Sequence, residues 1–296
     1  GNTGASSETG LPQQWSDTAN IAWKTRLGGL GVSSPVVWGD RVFVTSQAGT
    51  GASRVGPRLG QGNDTNPAER SLSGAGGSKD QTLRFLVEAF DRTSGRRLWA
   101  HTTTAEGEVP SVHDKHNLAS ASPATDGERV YAVFGSGQVV ALDVNGKPVW
   151  TRHLGRDFGA FSINWGNGSS PIVSGNQLIL VCYNGDTSYL LALDSRSGKQ
   201  IWKTDRPRGV ISYSTPLVVP APSGDEIIVN SSVGVEAYEF TTGKPIWHFD
   251  EPNQYPIPVA MHHDGVIYVS RGYRSGPYAA LRPGGRGDIS KGHVLW

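Results

Sequence analysis

Three features of this 296-residue chain predict an all-β fold of four-stranded antiparallel sheets set radially, a β-propeller. A phrase ending in tryptophan returns about every 50 residues, a period that marks solenoids and propellers. A second landmark, Ser-Pro or a variant of it, precedes each copy. Between them lie short β-rich runs such as "RVFVTS", "RVYAVF", "QLILVCY", "EIIVNS" and "VIYVS". These are nearly continuously apolar, so both of their faces need cover. Four-stranded sheets packed side by side around an axis supply it.

The elements follow in chain order. Residues 1–20, opening "GNTGASSETG", read as a flexible leader, the remainder of a removed targeting segment. "IAWKTRL", residues 21–27, reads as a lone outermost strand with Trp23 on the beat, closing the last blade. Five repeats occupy 32–296, making 21–296 one domain. Each first strand starts at Ser34-Pro35, Ser122-Pro123, Ser170-Pro171, Thr215-Pro216 or Ile257-Pro258. Proline is tolerated there as the first residue of an edge strand. The third and fourth strands flank the repeated phrase: "AFDRTSGRRLW" to Trp99, "ALDVNGKPVW" to Trp150, "ALDSRSGKQIW" to Trp202, "AYEFTTGKPIW" to Trp247, and a stretched copy to Trp296. In the third copy, Asp194 accepts backbone hydrogen bonds at the head of the turn, Gly198 takes the positive φ of a tight reversal, and Lys199 stays in water. Trp202 then falls on the outer strand, where it fills the wedge between blades. A Gly/Ser-rich insert from about Ser46 to Gln81 holds too few apolar residues to offset its ordering entropy and reads as a mobile loop.

Composition excludes several classes. The net charge of +1 comes from interspersed signs, so no basic field exists to neutralise nucleic acid phosphates. Cys182 is the sole cysteine, which rules out an internal disulfide, a Cys-x-x-Cys-His haem site and a thiolate metal cluster. No apolar run approaches the roughly 18 residues of a membrane span. Very little helix is expected.

The repeated phrase resembles the propeller repeat of pyrroloquinoline quinone (PQQ) dehydrogenases and of BamB-type outer-membrane assembly lipoproteins, whose tryptophan-docking motif reads Ala-x-Asp-x-x-x-Gly-Lys-x-x-Trp. Ala192, Asp194, Gly198, Lys199 and Trp202 match it in full. Ala89 to Trp99 carries Arg96 for lysine, the fourth copy has Glu239 for aspartate, and Ala141 to Trp150 is one residue short. The resemblance implies a bacterial, periplasmic or otherwise extracytoplasmic protein and an eight-bladed ring. Five inner strand sets against six beat tryptophans (Trp23, Trp99, Trp150, Trp202, Trp247, Trp296) then read as an incomplete ring of about five blades, with a contracted five-bladed ring as the alternative.

Irregular sequence collects in the connections from second to third strand and from fourth strand to the next first strand. Both kinds emerge on one face, and insertions confined to one face of a repeat protein mark its binding surface. Candidate ligand or partner residues there are His116, Asn117, Trp165, Tyr213, Arg271, Tyr273 and Arg274. Arg271, Tyr273 and Arg274 suit carboxylates or an acidic peptide, whereas pairing with nearby carboxylates is the structural alternative. Trp165 and Tyr213 offer flat faces at the funnel mouth, or ordinary loop packing. His113 and His116 sit at i and i+3 without an identifiable third ligand, which favours capping over a metal site. No catalytic residue or metal ligand is assigned.

Two functions follow. One is a non-catalytic binding or scaffold propeller without a cofactor, engaging a protein partner or a small acidic ligand on the loop-rich face. The other, implied by the resemblance, is a PQQ- and calcium-dependent dehydrogenase of alcohols or sugars. The resemblance also associates that chemistry with a neighbouring cysteine pair, which this chain lacks.

Overall fold

Each repeat folds into its own antiparallel sheet in a computed structural model that describes residues 9–49, 82–107, 109–110, 112, 116–272 and 276–296. The first sheet is β1 (Val36–Trp38), β2 (Arg41–Ala48), β3 (Arg84–Asp91) and β4 (Arg97–Thr104). The second is β5 (Ala124–Thr125), β6 (Arg129–Val133), β7 (Gln138–Asp143) and β8 (Pro148–His153), followed by a short helix, α1 (Leu154–Phe158). The third holds β9 (Ile172–Ser174), β10 (Gln177–Tyr183), β11 (Ser188–Asp194) and β12 (Gln200–Arg206). The fourth holds β13 (Leu217–Val219), β14 (Glu226–Asn230), β15 (Gly234–Glu239) and β16 (Pro245–Asp250). The fifth comprises β17 (Met261–His263), β18 (Val266–Ser270) and β19 (Tyr278–Leu281). Residues 293–296 run beside β19, with Leu295 N–H donating to the Ala280 carbonyl at 2.8 Å. A last strand, β20 (Gly287–Asp288), adds to the fourth sheet parallel to β16.

The sheets stack face to face in sequence order, as doubly apolar strands require. Phe43, Phe85, Phe134 and Leu142 fill the first interface, with the Phe85 and Phe134 rings stacked 4.4 Å apart. Tyr131, Leu178 and Leu191 fill the second. Ile179, Tyr183, Ile227 and Tyr238 fill the third, and Ile228, Ala237, Ile267 and Leu281 the fourth. Cys182 is buried among the apolar residues of the second interface.

The repeated phrase makes one device four times. A bulge beside the motif alanine leaves Leu98, Val149, Ile201 and Ile246 without a cross-strand partner and pairs the following tryptophan with Ala89, Ala141, Ala192 or Ala237. The indoles of Trp99, Trp150 and Trp202, and that of Trp23 ahead of the first sheet, each lie on the left-handed glycine of the next turn along. A Cβ on Gly95, Gly146, Gly198 or Gly243 would come within 2.4, 2.6, 2.7 or 2.3 Å of the ring of Trp23, Trp99, Trp150 or Trp202. Only a residue without a side chain leaves room. The indole N–H donates to the carbonyl just after the turn acid: Trp23 to Arg92, Trp99 to Val144 and Trp150 to Ser195, each at 2.9 Å, and Trp202 to Phe240 at 3.2 Å. Asp194 in turn accepts from the Ser197 N–H at 2.8 Å and its hydroxyl at 2.6 Å, and the latter bond holds its carboxyl below the ordinary range. Trp247 departs from the pattern and donates to the buried Glu226 carboxylate at 2.8 Å.

The proline landmarks meet at the inner rim. Ser34 N–H donates to Ser122 Oγ, Ser122 N–H to Ser170 Oγ and Ser170 N–H to Thr215 Oγ1, at 2.9, 2.9 and 3.0 Å. The Ser122, Ser170 and Thr215 hydroxyls thus each cap the preceding landmark's backbone, which explains the choice of Ser or Thr before proline at these three positions.

Three expectations need correction. Ser46 to Ala48 belong to β2 rather than to a loop, because they pair with Arg84 to Leu86; residues 50–81 of that insert, like 1–8 of the leader, lie outside the described residues. Residues 21–27 place Trp23 in its socket without forming a strand. Trp296 sits in no such socket: it is 65% exposed, and no described glycine lies beneath its ring.

Candidate functional site

The short first-to-second and third-to-fourth strand turns emerge on one face, and the longer connections on the other. Two of the latter, 105–123 and 154–171, frame an open cleft of about 590 Å³ beside the second sheet. Gly107 and Pro110, Ala160 to Asn164, and Ser136 with His153, Gly155 and Arg156 line it.

The cleft is braced from within. His153 Nδ1 accepts the Arg156 N–H at 3.2 Å as the cap of α1, so its proton sits on Nε2, which donates to the Glu106 carbonyl at 3.0 Å. The Arg156 guanidinium pairs with the Glu106 carboxylate, and Arg152 with Asp157 at 2.6 Å. The buried Gln138 side chain donates to Thr104 O at 2.9 Å and accepts the Glu106 N–H at 2.8 Å. A second recess of about 320 Å³ adjoins, lined by Thr103, Glu106, Gln138, Arg152 and Asp157 among others. Phe161 and Ile163 give the cleft apolar ground, while Ser162 and Asn164 stand exposed at its rim. Such a surface is preformed and recognises by shape plus a few polar groups.

The residues expected at the site divide. His116 Nδ1 bonds Ser120 Oγ, and its ring packs on Gly166, where a Cβ would lie 2.7 Å from Cδ2. Asn117 caps its own turn, accepting the Ala119 N–H at 2.9 Å and donating to Leu30 O at 3.3 Å. Tyr213 is half-buried; burial and the neighbouring Tyr255 push its phenol up, and a backbone hydrogen bond from Trp165 opposes them. Tyr213 thus lies beside Tyr255 and the Trp165 backbone, and His116 packs on Gly166, the residue after Trp165.

Arg271 is a correction. It is 0% exposed, and its guanidinium donates to the carbonyls of Glu251 (2.9 Å), Ser231 (2.8 Å) and Gly234 (3.3 Å) and to Asn230 Oδ1. Burial lowers its pKa to about 10. It ties the connections of the fourth and fifth sheets together instead of meeting a ligand. Tyr273, Arg274 and His113 lie outside the described residues. The sequence reading missed His153, Arg156, Ser162 and Asn164. Connection length was the available signal, because 105–123 and 154–171 are the longer of the described inter-sheet connections.

Residues 84–272 match the family described as outer membrane protein assembly factor BamB. The chain belongs to the BamB family of PQQ-like propeller repeats. Among curated relatives it is 21% identical to tetrathionate hydrolase of Acidithiobacillus ferrooxidans, over 94% of this chain and 52% of that protein. It is 24% identical to BamB of Bordetella pertussis, over 54% of this chain and 37% of that one. The chain thus spans about half or less of these relatives' lengths. Among solved structures, europium-containing methanol dehydrogenase aligns over 89% of this chain and 53% of its own with a TM-score of 0.51 at 14% identity, a likeness of fold. Within this BamB-type frame, no group of three His, Cys, Asp or Glu side chains among the described residues gathers closely enough to hold a metal ion.

Proposed function

We propose that this chain is a non-catalytic binding or scaffold propeller of the bacterial extracytoplasmic space, engaging a protein partner or a small acidic ligand through its loop-rich face. One observation carries the reading: the 590 Å³ cleft, whose cations are already paired and whose rim is small, polar and exposed. A preformed surface of this kind suits recognition, since binding orders little that is not ordered already. Membership in the BamB family supports the scaffold role and the compartment. The experiment is titration with PQQ and calcium, following absorbance and thermal stability. No shift at high cofactor excess is expected. Saturable micromolar binding would overturn the proposal in favour of a PQQ-dependent dehydrogenase.

A further inference from the structure

The fourth sheet shows how an outer strand of this fold can be extended. Among the described residues β4, β8 and β12 each end their sheet as an edge, whereas β16 carries β20 beyond it. An edge leaves a row of backbone N–H and C=O groups open to another strand. The addition to β16 is parallel: Gly287 lies level with Trp247 and Asp288 with His248, and the Ile289 N–H donates to the His248 carbonyl at 3.0 Å. Ile289, 2% exposed, joins the apolar cluster that holds Trp247 and Phe249. Hydrogen bonds from Ser290 lower the Asp288 carboxyl, and the neighbouring His248 lowers it further.

β12 repeats the features that β20 meets on β16. In both strands a basic side chain follows the tryptophan and contacts an acid two residues on, Lys203 with Asp205 and His248 with Asp250. The registers agree as well. Lys203 pairs with Leu191 one step past the Ala192–Trp202 pair, and His248 pairs with Glu236 one step past Ala237–Trp247, so the Lys203 carbonyl points away from its sheet as the His248 carbonyl does. β4 and β8 carry the uncharged Ala100 and Thr151 at this position. The β12 edge also presents Ile201, left without a cross-strand partner by the bulge and 40% exposed. None of its residues lines the loop-rich cleft, so this surface is separate from that one. We propose that the free edge of β12 docks an extended segment of a partner protein, added in parallel as β20 adds to β16, with an acidic residue level with Lys203 and an aliphatic residue after it donating its N–H to the Lys203 carbonyl.

The test is fluorescence polarisation with the full chain and a labelled peptide, Gly-Gly-Arg-Gly-Asp-Ile-Ser-Lys, the sequence of residues 284–291. Saturable binding is expected. It should weaken about fivefold or more on N-methylation of the isoleucine, on replacing the aspartate by lysine, and with Lys203→Gln in the protein, but not with Val149→Asp on the edge of β8. The two peptide changes leave the protein untouched, so they decide the matter even where Lys203→Gln folds poorly. Absence of saturable binding overturns the proposal, and so does equal affinity for the N-methylated peptide. Binding indifferent to Lys203→Gln in a folded variant overturns it too, because the peptide would then be replacing β20 on β16. A dimer in sedimentation that the peptide dissolves would make β20 of a second copy the occupant, and the partner-protein assignment would fall.

Discussion

Trp202 and Gly243 are expected to be energetically coupled, and a double-mutant cycle measures by how much. Trp202 is 8% exposed and donates to both Phe240 O and Gln177 Oε1. Truncating it to alanine removes roughly 200 Å² of buried indole, about 5 kcal/mol at 25 cal/mol per Å² as an upper bound. Partial collapse of the cavity brings the expected loss to about 4 kcal/mol. Gly243→Ala faces two separate costs. The backbone at φ +70° disfavours any Cβ by about 1 kcal/mol. The new methyl would also sit 2.3 Å from Trp202 Cε3, so the indole must leave its socket, adding about 2 kcal/mol. Once Trp202 is alanine, only the backbone cost of Gly243→Ala remains. The double variant should therefore be about 2 kcal/mol less destabilised than the sum of the singles in urea unfolding followed by circular dichroism. Additivity within about 0.5 kcal/mol would show that glycine is kept there for backbone freedom alone, and the socket argument would fail.

Arg271→Ala leaves the Glu251, Ser231 and Gly234 carbonyls without their buried donor and should lower stability by about 3 kcal/mol or more; a loss under about 1 kcal/mol would return Arg271 to the list of ligand-facing cations. Glu226→Ala strips the acceptor from the Trp247 N–H (2.8 Å) and the Gly284 N–H (3.2 Å), a cost of about 2–4 kcal/mol, while Glu226→Gln retains one oxygen and should lose clearly less. Equal losses in the two variants would mean the carboxylate is not the clamp between the fourth and fifth sheets. The depressed carboxyls of Asp91 and Asp194 stabilise the fold above the ordinary aspartate value near about 3.9, and that contribution is lost as pH falls through their lower folded values. Asp194→Asn should flatten the acid limb of a stability–pH profile below about pH 4; an unchanged slope would contradict the turn hydrogen bonds.

The sequence announced the sheets because their determinants are local and repeated. Ala192, Asp194, Gly198 and Trp202 fill one strand–turn–strand unit, and each residue's reason lies within a few residues or one sheet away. Trp247 was harder to read, since its partner Glu226 lies 21 residues upstream and breaks the carbonyl rule of the other copies. Arg271 misled for a related reason: a cation in a Gly-rich loop reads as exposed, and nothing nearby in sequence shows that Ser231 and Glu251 fold around it. The cleft was least legible of all. Its lining comes from Gly107, Pro110, Ser136, His153, Gly155, Arg156 and Ala160 to Asn164, which meet only when the second sheet has packed with the connections on either side of it.

The central claim is that recognition belongs to the loop-rich face and the tryptophan sockets belong to the scaffold. Photo-crosslinking in the native host tests it most directly, with a photoreactive side chain placed at Ser162 or Asn164 on the cleft rim, or at Thr93 or Lys147 on the opposite turns. The account predicts a discrete crosslinked species from the rim positions and none from the turns. Crosslinks confined to Thr93 and Lys147 would contradict it.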